Sequence, residues 1–172
     1  GQLKSKGNFK DGKLDGLLES YFYGRLEYKQ NYKDGKEDGL YEGYSHNGQL
    51  DLKKNYKDGK LDGLYESYSD NGQLRLKINY KEGKQDGLYE SYHKNGQVST
   101  KINYKNGKED GLYERYEKNS NLTQAEVWKD GKKLKETKYS YHVNGQVKTK
   151  INYKDGKLDG LNESYHNNGQ LY

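Results

Sequence analysis

The side chains best suited to acid–base or metal chemistry in this sequence are four histidines that stand just before predicted turns: His46, His93, His142 and His166. A hydrolase or a metal centre needs several such groups to converge at one place. A repeat instead distributes them along one edge of a sheet, so we interpret these histidines as solvated turn residues. The chain contains no cysteine, which excludes thiol nucleophiles and thiolate metal ligands.

Paired aspartates such as Asp58 and Asp62 could indicate a calcium site. Asp58 is however the first residue of an Asp-Gly turn, and the acidic spacing of a calcium-binding loop, Asp-x-Asp-x-Asp-Gly, does not occur. We expect Asp62 to lie opposite Asn55 and to take part in turn chemistry. The sequence therefore predicts no catalytic residue, no metal and no cofactor, and we do not expect an enzyme.

Tyrosine is the residue type with binding potential, since the chain contains 20 of them. A tyrosine can pack its ring against a neighbour while its hydroxyl reaches water. Equivalent tyrosines two strands apart would be separated by roughly 9.5 Å. Such a ladder could accept an extended partner or stack sugar rings, although the rings could also serve only to stabilise a one-layer sheet. The candidate binding face consists of Tyr32, Tyr41, Tyr56, Tyr65, Tyr80, Tyr89, Tyr104, Tyr113 and Trp128.

The composition argues against a large apolar core. Of 172 residues, 29% are hydrophobic and 33% are charged, and the mean hydropathy is −1.46. The 31 basic and 26 acidic residues are interspersed along the whole chain, so a nucleic-acid partner is not expected. The 22 glycines, the tyrosines and the absence of proline favour short strands with tight turns over disorder.

Two turn signals alternate along the chain and divide it into hairpins. Asp-Gly pairs begin at Asp11, Asp34, Asp58, Asp130 and Asp155, and Asn-Gly pairs begin at Asn47, Asn71, Asn95, Asn144 and Asn168. Asp34 and Asp58 are 24 positions apart, which is the usual step. Both dipeptides favour type I′ turns, in which both central residues have positive φ. Each unit should therefore contain two turns and two strands of roughly ten residues.

Two-residue turns at Asp58-Gly59 and Asn71-Gly72 would place Tyr65 opposite Ile78 on one side and opposite Leu52 on the other. One face would then carry Tyr65 and Ile78. The opposite face would carry Glu66 beside Lys77, an opposite-charge pair that stabilises a sheet.

The fold class predicted is all-β: a single-layer, twisted antiparallel β-meander, solenoid-like, of about seven hairpin units. We expect residues 1–172 to form a single array, with irregular units near 20–30 and 130–145, where the spacing of the turns changes by one residue. The sequence begins with "GQL" and ends with "NGQLY", both inside a unit, so we expect either a piece of a longer array or an array without its caps.

The segment "NYKDGKLDGLYESY" at 55–68 resembles the membrane occupation and recognition nexus (MORN) repeat, and the intervening "NGQL" resembles its bacterial variant form. The aromatic residue that precedes the turn in that family is represented here by Phe9, Tyr32, Tyr56, Tyr80, Tyr104, Trp128 and Tyr153. The resemblance implies a single-layer antiparallel sheet with a role in binding or scaffolding. One departure is that tyrosines such as Tyr65 stand where the common repeat tends to have a glycine.

From these observations we expect a non-enzymatic binding or scaffold module whose partner is a protein. The resemblance to bacterial variant proteins favours a secreted or cell-surface location. Two alternatives are binding of a glycan or a lipid head group through the tyrosine and lysine rows, and a role as the antitoxin-like partner of a toxin. Open sheet edges could also pair with a second copy to give an edge-to-edge homodimer.

Overall fold

The computed structural model describes residues 2–172, and every regular element within them is a β-strand. Strands β1 to β14 follow one another in an open antiparallel sheet, and β15 pairs with β13. This arrangement confirms the predicted all-β, single-layer meander. The strands are β1 (Ser5–Lys10), β2 (Lys13–Phe22), β3 (Arg25–Lys33), β4 (Lys36–Tyr44), β5 (Leu50–Lys57), β6 (Lys60–Tyr68), β7 (Leu74–Lys81), β8 (Lys84–Tyr92), β9 (Val98–Lys105), β10 (Lys108–Tyr116), β11 (Leu122–Lys129), β12 (Lys132–Tyr141), β13 (Val147–Lys154), β14 (Lys157–Leu158) and β15 (Glu163–Ser164).

The chain divides into two compact units. The N-terminal unit ends at Gly87, and the C-terminal unit is Leu88–Tyr172. Each unit is built from the same kind of hairpin. Within residues 2–172 there is no helix with the length and apolarity needed to cross a bilayer.

The Asp-Gly turns have the predicted type I′ conformation. Asp58 and Gly59 have φ values of 49° and 79°, and the flanking residues Lys57 and Lys60 pair directly. Both central residues therefore lie in the left-handed region, which glycine and aspartate tolerate better than most residues. The same pair of positive φ values occurs at the other Asp-Gly turns.

The Asn-Gly turns are different, and the prediction of type I′ geometry at these positions is wrong. Gly72 has a φ of 78°, whereas Asn71 is not in the left-handed region. The Gly72 N–H donates to the Ser69 carbonyl at 2.7 Å, and the Ser69 N–H donates to the Gln73 carbonyl at 2.8 Å. These bonds define a three-residue loop in which a type I turn is followed by one left-handed residue. Asn71 favours this loop because its side-chain oxygen accepts the Gln73 N–H at 3.2 Å.

A bulge beside each Asp-Gly turn changes the register that the sequence predicts. Tyr65 lies opposite Ile78 as expected, but its other neighbour is Lys54 rather than Leu52. The reason is that β6 contains extra residues around Gly63, whose φ of 107° removes it from regular strand geometry. The pairing of Asp62 with Asn55 is wrong for the same reason.

Asp62 instead connects one hairpin to the next. Its carboxylate accepts the N–H of Glu82 at 3.1 Å, and the N–H of Gly83 donates to the Leu61 carbonyl at 2.7 Å. The N–H groups of Glu82 and Gly83, the two central residues of the next type I′ turn, are thus both hydrogen-bonded to the preceding hairpin. This hydrogen bond accounts for the aspartate that recurs at this position of the repeat. Among residues 2–172, no three His, Cys, Asp or Glu side chains form a group that could hold a metal ion.

Little apolar surface is buried in this one-layer structure. Ile78, with 5% of its surface exposed, is the one buried apolar side chain among residues 2–172, and Gln30, Ser67 and Glu126 are buried polar ones. Backbone pairing and contacts between hairpins therefore contribute a larger share of the stability here than they do in a protein with a large apolar core.

The two segments with altered turn spacing retain the hairpin pattern. Tyr23 and Gly24 form a turn with φ values of 49° and 76°, flanked by the directly paired Phe22 and Arg25. In the C-terminal unit, the register shifts between Val127 and Trp128, opposite β12. The first segment is one residue short because a two-residue turn replaces the three-residue loop, and the additional residue of the second segment is accommodated at the shift in β12.

Candidate binding face

In the N-terminal unit, one face of the sheet carries most of the predicted tyrosines, and we call it the tyrosine face. A row of directly paired residues crosses this face from strand to strand. Its aromatic members are half-exposed, because no second layer of residues 2–172 covers them. The row, which we call the central row, is Leu18, Gln30, Tyr41, Lys54, Tyr65 and Ile78.

The Tyr41 ring has two close neighbours on the tyrosine face, Tyr28 and Lys54. It stacks on Tyr28 with 5.7 Å between the ring centroids and 17° between the planes. The Lys54 Nζ lies 4.4 Å from the Tyr41 centroid and 5.1 Å from the Tyr56 centroid, within the range of a cation–π contact. Burial raises the pKa of the Tyr41 phenol, while the Lys54 charge acts in the opposite direction. Tyr41 therefore remains a neutral hydrogen-bond donor at physiological pH.

Three further tyrosines lie two residues beyond the central row, on the side of the type I′ turns. Tyr32, Tyr56 and Tyr80 occupy every second strand, β3, β5 and β7. Their paired neighbours on the preceding strands are glycines: Gly16, Gly39 and Gly63. We call these three tyrosines the tyrosine comb. Burial, together with the neighbouring Glu37 and tyrosines, raises the pKa of Tyr32.

The opposite face of the N-terminal unit is polar, and its charges alternate. Paired residues in one row read Lys6, Glu19, Lys29, Glu42, Lys53, Glu66 and Lys77. This row confirms the predicted neighbours Glu66 and Lys77. The Tyr68 hydroxyl donates to Glu66 at 3.0 Å, and burial followed by this hydrogen bond raises the pKa of Tyr68 to about 12.

In the C-terminal unit, tyrosines again share a face with apolar residues. The Tyr89 and Tyr104 rings lie 6.3 Å apart, and Tyr113 pairs with Ile102. Trp128 pairs with Gly111, as Tyr80 pairs with Gly63 in the N-terminal unit.

Two carboxylates on this face replace the aromatic and aliphatic pairs. Glu126 lies directly opposite both Tyr113 and Glu136. Its nearly buried carboxylate accepts the Trp128 Nε1–H at 2.6 Å, and the Lys133 Nζ lies 3.0 Å from both Glu126 and Glu136. The Gln124 amide also donates to both carboxylates, at 2.8 and 2.9 Å. We call this group the glutamate cluster.

Lys133 is the cation shared by the two carboxylates of the glutamate cluster, and its contacts shift the pKa of Glu136. Hydrogen bonds from Lys133 to Glu126 and Glu136 raise the pKa of the lysine. Burial acts to raise the pKa of Glu136, but hydrogen bonds and charge from Lys133 and Lys138 outweigh it, so the pKa lies below its usual range. The Glu136 carboxylate is therefore ionised near neutral pH.

Two histidines also have a structural role that the sequence analysis did not predict. The Nε2 of His93 lies 2.9 Å from the Tyr116 carbonyl, and the Nε2 of His142 lies 2.7 Å from the Tyr165 carbonyl. Because the acceptor is a carbonyl, each Nε2 carries the proton. These histidines connect successive turns and are not merely solvated.

These features define a single-layer β-repeat protein in which the predicted tyrosines of each unit share a face with apolar residues. The sequence profile of the MORN repeat variant matches residues 37–58, 61–82, 85–106 and 137–155. The chain therefore contains MORN-variant repeats, as the sequence pattern indicated. Repeats of this kind are non-enzymatic modules associated with protein and membrane binding. A search among curated proteins finds no match.

The sequence analysis missed the residues that give the face its local character. One repeat position, two residues before the aromatic residue that precedes the type I′ turn, differs between units. It is occupied by Gln30, Lys54, Ile78 and Glu126. The signal in the sequence that could have identified these residues is the variation of this position between otherwise similar repeats.

Proposed function

We propose that the chain is a non-enzymatic binding module that holds a protein partner on its tyrosine face. The observation that supports this proposal is the central row, in which Tyr41 and Tyr65 remain half-exposed beside Lys54 and Ile78. Tyrosine is enriched in protein interfaces and among the residues that dominate their binding energy. The tyrosine rings and lysine side chains of this face project from hydrogen-bonded strands. Their positions are therefore restricted before binding, which lowers the entropic cost of binding.

The variation along the face favours a protein over a repeating polymer. A polysaccharide with a simple repeat would be matched best by identical groups in each unit. Here the position next to the tyrosines holds glutamine, lysine or isoleucine in Gln30, Lys54 and Ile78 of the N-terminal unit. A partner with a varied sequence can complement such differences.

The contacts of Tyr41 argue against the alternative of sugar stacking at this position. Stacking requires a free ring face, and the Tyr41 ring already stacks on Tyr28 and has the Lys54 Nζ 4.4 Å from its centroid. A lipid head group is also disfavoured on the opposite face, because Lys29 and Lys53 each pair with a glutamate. The bacterial-surface location, the antitoxin-like role, the single array over 1–172 and the edge-to-edge homodimer remain predictions from the sequence.

Selection of random peptides displayed on phage, with the purified chain as target, tests the proposal. Peptides that bind through the tyrosine face should lose about tenfold or more in affinity with the double variant Tyr41→Ala/Tyr65→Ala. A matched control is Tyr44→Ala/Tyr68→Ala, which removes two tyrosines from the opposite face and should preserve binding. Circular dichroism establishes that both variants are folded.

A glycan array and flotation with phosphatidylserine-containing vesicles provide the competing measurements. Binding to a glycan or to vesicles that depends on Tyr41 and Tyr65, with no peptide selected, would contradict the protein partner.

A further inference from the structure

The turn between β2 and β3 differs from the other turns at the same edge of the N-terminal unit. The later turns at this edge are polar loops built on Asn-Gly, such as the loop that contains Asn71. Here Phe22 and Tyr23 stand at the tip, with 65% and 79% of their surfaces exposed. Two large rings therefore lie in solvent where the repeat otherwise places polar side chains. We call residues 22–25 the aromatic turn.

The conformation of the aromatic turn is costly for the residue that occupies it. The φ of Tyr23 is 49°, in the left-handed region that glycine, asparagine and aspartate adopt more easily than a bulky residue. Backbone strain of this kind is typical of functional sites. The Phe22 and Tyr23 rings meet edge to face, with 4.5 Å between centroids and 79° between planes. This contact restricts both rings before any partner binds.

A recess of about 480 Å³ adjoins the aromatic turn. The Phe22 and Tyr23 rings, Leu26 and Tyr44 provide its apolar walls, and Arg25 lies in the same lining. A concave site with apolar walls and a few polar groups is the usual form of a binding cleft. The recess can therefore accept an apolar side chain beside a charged group.

Arg25 gives the recess a cation that has no acidic partner among residues 2–172. Its Nη1 donates to the His46 carbonyl at 2.9 Å, which positions the guanidinium and uses one of its N–H groups. No carboxylate in the described part of the chain forms an ion pair with Arg25. Glu27, which also lines the recess, accepts the Ser20 hydroxyl at 3.1 Å instead. The remaining N–H groups of Arg25 can therefore bind a carboxylate from another molecule, in the bidentate geometry that arginine favours.

We propose that the aromatic turn and its recess form a second binding site, which holds an acidic segment of a protein partner. An apolar side chain of the segment occupies the recess against Phe22 and Leu26, and a neighbouring aspartate or glutamate pairs with Arg25. Aromatic residues and arginine are enriched in protein interfaces and among the residues that dominate their binding energy. The site goes beyond the proposed function, because none of its residues belongs to the central row.

A membrane surface is the competing ligand for two exposed rings at the tip of a hairpin. Adsorption to an anionic bilayer depends on several lysines or arginines close to the inserted rings. The lining of the recess contains one arginine and one glutamate, Arg25 and Glu27, whose charges cancel. A bilayer responds to this summed charge, whereas a single carboxylate pairs with one guanidinium. The arrangement therefore favours a protein segment.

The test uses short random peptides displayed on phage and selected on the unmodified chain. Peptides that occupy this site should lose about tenfold or more in affinity with Phe22→Ser and with Arg25→Gln, but not with Tyr41→Ala/Tyr65→Ala. They should share an apolar residue next to an aspartate or glutamate. Val143→Ser, which removes an exposed apolar side chain from a loop of the C-terminal unit, is the matched control and should preserve binding. A selection without any peptide that needs both Phe22 and Arg25 would overturn the proposal.

A double-mutant cycle tests the ion pair with Arg25. The tightest of these peptides is synthesised with its acidic residue and with the corresponding amide. The amide should weaken binding to the unmodified chain about tenfold, but binding to Arg25→Gln by less than about twofold, because the carboxylate has already lost its partner. Equal losses with both chains would show that the carboxylate lies elsewhere, which contradicts the proposal.

Tyr23→Asn separates binding from folding. This variant relieves the left-handed strain, so it should be folded, yet it should bind the same peptides about tenfold more weakly than the unmodified chain. Unchanged affinity would exclude the strained ring from the site. Flotation of the chain with phosphatidylserine-containing vesicles that depends on Phe22, with no such peptide selected, would assign the rings to a membrane and overturn the protein partner. Peptides that need Tyr41 and Tyr65 test the proposed function separately.

Discussion

The side chain of Asn55 donates a hydrogen bond to the main-chain carbonyl of Leu64 at 3.1 Å, across the bulge formed by Gly63. Asn31 makes the same bond to Leu40, and Asn103 makes it to Leu112. The bulge removes backbone groups from the regular ladder, and the asparagine side chain supplies one of the missing partners. This relationship explains why "NY" and "DGL" recur together in the sequence.

Replacement of Asn55 by alanine should lower the free energy of unfolding by about 1–2 kcal/mol, because the Leu64 carbonyl loses its donor in a half-buried site. Urea denaturation followed by circular dichroism measures the change. Arg75→Ala, at an exposed position in β7, is the control and should alter stability by less than about 0.5 kcal/mol. Equal effects of the two substitutions would show that the asparagine bond does not support the bulge.

Two glycines with positive φ should differ in their tolerance of a side chain. Gly63→Ala should cost about 2–3 kcal/mol, because φ is 107° and the new Cβ would lie 3.3 Å from the Asn55 Cβ. Gly72→Ala should cost only about 1 kcal/mol, since φ is 78° and the surrounding space is open. The two midpoints in urea give the comparison. A larger loss at Gly72 would contradict the packing role of Gly63.

Gln30→Ile should stabilise the chain by about 1 kcal/mol. Gln30 is 1% exposed, and its side-chain oxygen has no hydrogen-bond partner among residues 2–172, whereas Ile78 fills the equivalent position. The substitution removes the unpaired polar atom and keeps the position filled. Thermal denaturation measures the gain, with Gln73→Ile at an exposed position as the control. A loss of stability would indicate that the Gln30 donor bond to the Asn31 carbonyl, 2.7 Å long, outweighs the cost of its oxygen.

Tyr23→Asn should raise the free energy of unfolding by about 1 kcal/mol. Tyr23 has a φ of 49° in a type I′ turn and is 79% exposed, so a left-handed conformation is imposed on a bulky residue. Asparagine adopts this conformation at lower cost. Tyr23→Phe keeps the same strain and the ring contact with Phe22, so it should leave stability unchanged. A destabilised Tyr23→Asn variant would mean that the ring contact matters more than the turn.

Lys133→Met should destabilise the C-terminal unit in a pH-dependent manner. The variant leaves Glu126 and Glu136 facing each other without their shared cation, at a cost of about 1 kcal/mol after allowance for solvent screening of the exposed lysine. The pKa of Glu136 is lowered in the folded chain, so its favourable contribution is present above the unfolded value and is lost as the pH falls through the folded pKa.

The difference between the unmodified chain and Lys133→Met should therefore be largest near neutral pH and should shrink below about pH 4.5. Urea denaturation at both pH values measures it. Lys135→Met, a neighbouring exposed lysine in β12, is the control. A difference that does not change with pH would indicate lost packing rather than lost charge.

Much of this architecture follows from local signals in the sequence. The dipeptide Asp58-Gly59 indicates a type I′ turn, because few other residues tolerate positive φ at both central positions. The alternation of Tyr65 and Glu66 along the strand predicts which side chains share a face. These properties depend on residues close together in the chain. The loop at Asn71-Gly72 was predicted wrongly because the same dipeptide fits two kinds of turn, and the Asn71 side chain selects one of them only when the loop forms.

The sequence by itself determined the repeat, the number of turns and the identity of the tyrosines. The tertiary structure decided which residues stand beside them. Gly63 starts a bulge that slides β6 along β5, so Lys54 rather than Leu52 lies next to Tyr65. The bulge is accompanied by the bond from Asn55 to the Leu64 carbonyl and by that from the Glu82 N–H to Asp62, and both join residues that are distant in the chain and meet only when the strands have paired.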